Sequence, residues 1–445
     1  MRRRMTMLAL FLALWVGKCL AQNPMPPAQQ EPTAPAKTVG KRLTLQEAEA
    51  VALQENPQIT VGKLRALQAH EFVREARSAL LPTANLSMTG VESRAGSRIA
   101  AGYLNNPVVY PRAAVGASVS QLITDFGRTN NLVSSSEFQA KAEDENAIAT
   151  RQQIVLAVDE AFYNSLESQA LLEVAEQTVK ARQLLVDQVK ALTDAKLKSD
   201  LDLSFSNVDL ARAKLLQLDS QSNYEASLST LSAILGFSDR QDFALVEPSP
   251  QTVAPTADAA PLIQQALQLR PEVRALQDEV ASATKFGKAE HALWWPTVNA
   301  TGVVGLAPVR APQIDNWYGA AGININIPVF NGFLFNARAK SADLETRAKQ
   351  QRLLDLQNNI ARDVRNAWLE TQKAYQRLSL TQQLREQASL ALELAQARYK
   401  LGLGSIVEYS QADLQKTEAD LQDTDARYQY QVMQIVLGYE TGMSP

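Results

Sequence analysis

Residues Gly319–Phe330 read GAAGININIPVF. Within them Ile323, Asn324, Ile325, Asn326 and Ile327 alternate strictly. That is the period of a β-strand, which sends every isoleucine to one face and every asparagine to the other. Directly after Asn331-Gly332 the period becomes helical and holds for roughly 65 residues, about 100 Å at 1.5 Å per residue. A short strand continued by so long a helix cannot share one globular core with it. The stretch predicts a barrel strand with lipid on one face and water on the other, joined to a helix that leaves the membrane.

The chain has 445 residues, one cysteine and two histidines. It opens MRRRMTMLALFLALWVGKCLAQ, in which Arg2, Arg3 and Arg4 precede an apolar run and Cys19-Leu20-Ala21 forms a small-x-small cleavage pattern. The run is shorter than the roughly 20 residues needed to span a bilayer, so residues 1–21 read as a secretory signal peptide. A lipoprotein signal would use Cys19, but Lys18 stands where that site wants a small residue. Residues 22–40, rich in Pro, Gln and Ala, read as a disordered leader. Cleavage removes Cys19 and leaves no disulfide framework. It also removes four basic residues, so the formal net charge of −3 becomes more negative, which argues against a nucleic-acid partner. No later segment reaches about 18 consecutive apolar residues, so a closed β-barrel is the only membrane structure open to this chain.

The chain is written twice. Ala52-Leu53-Gln54-Glu55-Asn56-Pro57 matches Ala266-Leu267-Gln268-Leu269-Arg270-Pro271, and Pro82-Thr83-Ala84-Asn85 matches Pro296-Thr297-Val298-Asn299 at the same offset. Further on, Leu197-Lys198-Ser199 falls opposite Leu403-Gly404-Ser405. The expected organisation is a first repeat over 41–246 with a β-hairpin at 84–122, a linker over 247–260, and a second repeat over 261–441 with a β-hairpin at 297–330. Each repeat ends in a long helical hairpin. Along the strands one parity is apolar (Leu86, Met88; Val115, Ala117, Val119; Val298, Ala300) and the other small or polar (Ser87, Thr89; Ser118, Ser120; Asn299, Thr301). That alternation is the signature of a barrel around water. Trp294-Trp295, Trp317-Tyr318 and Phe330, Phe333 and Phe335 flank the second-repeat strands. They suit an interfacial aromatic girdle, with packing in a soluble core as the alternative. The strand count weighs between these. Four strands cannot close a barrel when the smallest have about eight, and lipid tolerates no open edge. Several chains must therefore build it; three would give twelve strands.

The long helices are expected over about 128–190, 203–235, 337–399 and 410–437, without an internal proline. In the third, Leu353, Leu356, Ile360, Val364, Ala367, Ala374 and Leu378 form a near-heptad seam. Ala348, Ala361, Ala388, Ala391 and Ala395 are read as a second face of small residues, fit for a neighbour on each side, as in a cylinder of helices. The fold class is thus mainly α with a small β part: long antiparallel helices forming a helical barrel plus four transmembrane strands per protomer, with an internal two-fold repeat. A two-helix periplasmic adaptor hairpin, without a pore, is the competing reading, but it has no use for the strands.

Nothing signals an enzyme or a cofactor. His70 and His291 are the only histidines, which disfavours a zinc site, and no phosphate loop or nucleophile elbow occurs. Glu143-Asp144-Glu145 reads as a solvated helix face. The informative residues are the turns between paired helices, Lys196 to Ser204 and Tyr399 to Gln411. Gly402 and Gly404 suit a helix end needing left-handed backbone. Ser199 and Ser405 suit N-caps, and Asp202 and Glu408, three residues on, have capping-box spacing. Capping alone accounts for these acids; a second reading has symmetry-repeated carboxylates ringing an entrance and favouring cations.

With its opening LTLQEAEAVALQENPQI, the junctions LITDFGR and IPVFNG, the repeat, and the tip motifs LKSDLDL and YKLGLGSIVEY, the chain resembles the TolC-like outer-membrane efflux protein family over essentially all of 43–440. The resemblance implies a homotrimer with a twelve-stranded barrel in outer-membrane lipid above a helical cylinder in the periplasm. It also implies docking to a periplasmic adaptor and an inner-membrane transporter, as the channel of a tripartite efflux or type I secretion system. Carried onto this sequence, the periplasmic aperture falls on Asp202, Glu408 and Tyr399, and adaptor docking at the helical tips on Leu197, Ser199, Gly402, Leu403 and Ser405. The chain departs from the family at Gly404, where a gate-locking arginine is expected, at Gln411, where a second acid is, and at Lys196, where a glycine is.

Overall fold

The computed structural model describes residues 41–92, 112–248, 253–307 and 315–443. The signal peptide and leader expected over 1–21 and 22–40 lie outside the described residues, as does part of the linker, 249–252.

The described elements run β1 (Lys41–Leu43), α1 (Leu45–Glu55), α2 (Pro57–Ser78), β2 (Thr83–Val91), β3 (Arg112–Thr124), α3 (Arg128–Asp194), α4 (Asp200–Ile234), β4 (Phe243–Leu245), α5 (Ala260–Leu269), α6 (Pro271–His291), β5 (Thr297–Leu306), β6 (Trp317–Asn326), α7 (Leu334–Lys400) and α8 (Ile406–Glu440). Helices α3 and α7 each have 67 residues, and α4 and α8 each have 35. A 67-residue helix is about 100 Å long.

One antiparallel sheet has the order β2-β3-β5-β6. Its register decides which residues share a face. Leu86 pairs with Ala117 and Met88 with Val115; Val115 pairs with Leu306 and Ala117 with Val304; Val298 pairs with Ile325 and Ala300 with Ile323. The apolar parities of all four strands therefore lie on one face, interrupted by Gln121, which pairs with Ala300, and by Thr124, which pairs with Val298 past a register shift. Asn85, Ser118, Val303 and Ala320 mark one row of the opposite face, with Ser87, Ser120, Thr301, Asn299 and Asn324 in neighbouring rows. The apolar face is bare: Ile323 is 68 % and Met88 80 % exposed. No helix covers it.

Both long helices leave their strands through two consecutive left-handed residues, Phe126-Gly127 (φ 57° and 90°) and Gly332-Phe333 (φ 63° and 67°). The glycine and phenylalanine exchange places between the two junctions. A left-handed residue with a side chain costs about 1–2 kcal/mol. At the first junction an anchored geometry offsets that cost. Asp125 accepts from the Thr129 backbone N–H (2.7 Å) and hydroxyl (2.5 Å), capping α3, while Phe126 stacks on Trp295 with ring centroids 5.4 Å apart. Trp294 meets Phe335 edge-on at 5.5 Å. Trp294, Trp295, Phe330, Phe333 and Phe335 thus meet other rings at the strand–helix boundary, most of them largely exposed, instead of filling a core, while Trp317 and Tyr318 lie at the other end of the sheet.

The core lies at mid-length of the long helices. Phe162, Val158, Leu166, Leu231 and Leu235 are buried with Ala48, Ala52 and Ile59 of α1 and α2 and Phe243 of β4. A smaller counterpart joins Ile360 and Val364 of α7 to Ala266 and Val273. Thr44 closes a capping box with Glu47 at the start of α1. Gly236 (φ 95°) passes so close to Glu55 that a Cβ would lie 2.7 Å from its carbonyl oxygen. α3 packs on α2, α4, α6 and α8, and α7 on α5, α6 and α8. Along α7, Ile360, Val364, Ala367, Thr371, Ala374, Thr381, Ala388, Ala395 and Tyr399 are buried on the heptad. Ala388 and Ala395 therefore belong to that seam and not to the separate small-residue face expected from sequence.

Two other expectations are corrected. α4 and α8 start at Asp200 and Ile406, several residues before the expected 203 and 410, because Ser199 and Ser405 are the caps. Glu143, Asp144 and Glu145 are partly buried, not a plain solvated face. Asp144 accepts from His70 at 3.1 Å, and Asp343 meets His291 at 3.2 Å, so each histidine ties a strand-leading helix to a long one. Among the described residues no helix is long and apolar enough to cross a membrane, and no cluster of three or more metal-ligating side chains occurs.

Candidate functional site

The two helical hairpins end in turns of the same construction with different side-chain chemistry. At the first, Leu197 N–H donates to the Leu192 carbonyl (2.8 Å) and Lys196 N–H to the Thr193 carbonyl (2.8 Å). At the second, Leu403 N–H donates to Arg398 (2.8 Å) and Gly402 N–H to Tyr399 (3.1 Å). Both are helix ends closed through a left-handed residue. That residue is Gly402 (φ 73°) in one turn and Lys196 (φ 60°) in the other, so the lysine adopts the conformation that glycine takes at lower cost.

Ser199 accepts from Asp202 N–H at 3.2 Å, and the Asp202 carboxylate accepts from Ser199 N–H at 3.3 Å, completing a capping box. Ser405 caps Glu408 N–H at 3.2 Å. Glu408 does not return the bond: its carboxylate turns to Arg398, 3.3 Å from Nε. The pair borders Gly404, where a Cβ would lie 3.1 Å from Glu408 Oε2 and 3.3 Å from Arg398 Cβ. A side chain at 404 would crowd the pair, which gives a local reason for the glycine.

Tyr399 joins the turns. It is buried with Ile406 and Tyr409 against Leu185 of α3 and Leu392, and it stacks on Tyr409 with centroids 5.8 Å apart. Lys198 of the first turn holds its ammonium 4.0 Å above the Tyr399 ring. Burial raises the Tyr399 phenol above its ordinary value, and the negative charge of Asp202 adds to the shift. One to two turns further from the tips, the buried Arg182 of α3 donates to Asp413 of α8 at 2.8 Å and to the Asp209 carbonyl of α4 at 3.0 Å. Burial raises the Asp413 carboxyl while Arg182 opposes the shift. Leu197, Leu201, Leu401, Leu403 and Val407 project from the tips as exposed apolar knobs.

The structure thus brings Tyr399 into the neighbourhood of Asp202 and gives Glu408 a separate partner. Lys198, Arg398, Arg182 and Asp413 were not singled out from sequence. Arg182 and Asp413 lie 231 positions apart, and no local pattern marks either.

The model of the family described as outer membrane efflux protein matches residues 50–237 and 262–438. The chain belongs to the outer membrane efflux protein family. Members are channel proteins, not enzymes, and this efflux protein is an outer-membrane channel component that extends into the periplasm. Outer membrane protein TolC of Vibrio cholerae is 24 % identical over 402 residues, covering 85 % of this chain and 86 % of that one. The probable efflux pump outer membrane protein TtgC of Pseudomonas putida is 22 % identical over 380 residues, 83 % of this chain and 76 % of its own. The Campylobacter jejuni CmeC outer membrane channel superposes with a TM-score of 0.79 at 16 % identity, over 95 % of this chain and 94 % of that one. This last likeness concerns the fold.

Proposed function

We propose that three copies of this efflux protein close a twelve-stranded barrel and a helical cylinder, forming a passive duct through which an inner-membrane transporter expels small molecules with the help of a periplasmic adaptor. One observation carries the reading: the register gathers the apolar residues of four strands on one bare face and most of the polar ones on the other. Such a sheet suits lipid outside and water inside. Among the described residues its edge strands, β2 and β6, have no further partner in the sheet, and lipid tolerates none left open. The helices carry the same argument. Leu201, Phe205, Val208 and Leu215 of α4, and Leu380, Leu384 and Leu394 of α7, lie exposed at heptad-compatible steps. α4 packs on α3 and α8, and α7 on α5, α6 and α8, so a neighbouring copy can cover both stripes.

Within this reading Asp202, Glu408 and Tyr399 line the periplasmic aperture, and Leu197, Ser199, Gly402, Leu403 and Ser405 present the adaptor-facing surface. Residues 41–246 and 261–441 act as two quasi-equivalent halves of one protomer. Purified protein in a planar bilayer is expected to conduct as a trimer. Glu408→Gln with Asp202→Asn should weaken cation preference without dissociating it. A detergent-free soluble monomer silent in the bilayer overturns the duct; unchanged selectivity reduces Asp202 to a helix cap and Glu408 to a partner of Arg398.

A further inference from the structure

Tyr318 is the only aromatic side chain on the polar face of the described sheet, and it does not stand away from it. Strand side chains ordinarily rise roughly perpendicular to the sheet. The register puts Tyr318 opposite Gly305, and Gly305 opposite Gly116, in one row across β6, β5 and β3. A Cβ at Gly305 would lie 2.6 Å from the Tyr318 hydroxyl oxygen and 2.7 Å from Cζ, and a Cβ at Gly116 only 2.5 Å from the same hydroxyl. The hydroxyl thus reaches over a strand two places away, about 9.6 Å at the usual strand spacing. The phenol lies flat along the wall in a seat made by two missing side chains.

The row sits at the end of the sheet remote from the helices. β6 begins at Trp317 and passes into α7 after Asn326, so Tyr318 is one residue from the far rim. We propose that Tyr318 sets the free width of the duct at its outer mouth, and that Gly116 and Gly305 keep it wide by seating the phenol against the wall. The proposal rests on the barrel reading above, in which the polar face lines the lumen. A ring forced upright would project its whole length into the lumen, once per copy. Pore width governs which solutes pass, so two glycines and one tyrosine become size-determining residues for bulky cargo at the exit.

The two glycines are not equivalent as tests. At Gly305 a Cβ would also meet the Val115 carbonyl oxygen at 2.6 Å, so substitution there strains the sheet itself. At Gly116 the close contact is the far end of a mobile side chain, and the next neighbour, the Val304 carbonyl, is 3.4 Å away. Gly116→Ala should therefore lift the ring and leave the strands paired.

The experiment uses the full chain with Asn324→Cys, on the same face and nearer the helices. Cys19, the only native cysteine, lies within residues 1–21, read as the signal peptide. Proteoliposomes are treated from the outer-mouth side with a small charged thiol reagent and, separately, with a bulky maleimide polymer. Gly116→Ala should slow the bulky reagent several-fold and leave the small one unchanged. Tyr318→Ala should not slow it, and Gly116→Ala combined with Tyr318→Ala should restore the rate. Equal bulky-reagent rates in all four backgrounds overturn the proposal. So does slowing that persists without the tyrosine, since a distorted sheet then accounts for it. Failure of even the small reagent to reach Asn324→Cys in otherwise unaltered protein instead overturns the barrel reading. The readout does not depend on whether the helical tips limit ionic current.

Discussion

The ammonium of Lys198 lies 4.0 Å above the ring of Tyr399, so the turn of one helical hairpin rests on the turn of the other. Such a contact is worth about 0.5–1 kcal/mol at an exposed site and more when desolvated. Lys198→Ala should raise the population of separated tips by up to about fivefold, taking tenfold per 1.4 kcal/mol. Faster amide exchange over residues 396–409, with an unchanged melting temperature, is the expected result. Unaltered exchange would show that Tyr399 is held by its stacking on Tyr409 alone.

Lys196 and Gly402 occupy the same left-handed position in the two turns, with φ of 60° and 73°. Lys196→Gly should therefore stabilise the first turn by about 1 kcal/mol, and Gly402→Ala should destabilise the second by a similar amount. No atom lies within 4 Å of a Cβ placed on Gly402, so that cost comes from backbone conformation and not collision. Denaturant titration of both variants should give shifts of opposite sign.

Two carboxyl pairs, one with a buried member and one half-buried, flank the same stretch of α3. Burial, with Glu49 beside it, pushes Asp159 from 3.8 up to about 8. Burial, with Asp425 beside it, pushes Glu167 from 4.5 up to about 7 although Arg377 opposes the shift. In the fold both groups hold protons that the unfolded chain has released. Their contribution is thus most favourable below the ordinary carboxylate range and is lost as pH rises toward about 7 for Glu167 and about 8 for Asp159. The melting temperature should fall across that window. Asp159→Asn with Glu167→Gln, which fixes the neutral shape, should flatten the dependence; an equally steep slope in the double variant would place its origin elsewhere.

On the sheet, Ile323 and its neighbour Asn324 face opposite ways. In the barrel, Ile323→Lys should cost about 1–2 kcal/mol, between the midplane and interface values for a lipid-facing lysine. Asn324→Lys should cost little and shift ion selectivity toward anions. Urea unfolding from bilayers gives the first quantity and reversal potentials the second. Equal costs at the two positions would argue against a lipid-facing apolar side.

Much of the fold was legible because its determinants repeat at short range. Ile-Asn alternation marks β6, leucine and alanine steps mark the α7 seam, and Ser199 with Asp202 meet across three residues, a spacing that helix geometry fixes without help from the rest of the chain. The same spacing misleads at Ser405 and Glu408, where Arg398 lies close enough to take the carboxylate. Helix ends were read short for a related reason, since apolar periodicity fades before the hydrogen bonds do.

What the chain settled by itself was periodicity and capping: which segments extend, which coil, and which side of each is apolar. Tertiary structure alone decided the sheet order β2-β3-β5-β6, the Lys198–Tyr399 and Arg182–Asp413 ties, and the seat of Tyr318 over Gly305 and Gly116. Within the sheet only the β3–β5 pairing is distant, since β2–β3 and β5–β6 are local hairpins; that pairing, the two ties and the reach of Tyr318 to Gly116 join residues about 200 positions apart. Such pairs share no local period, and only the packing of two separately formed halves brings them within reach.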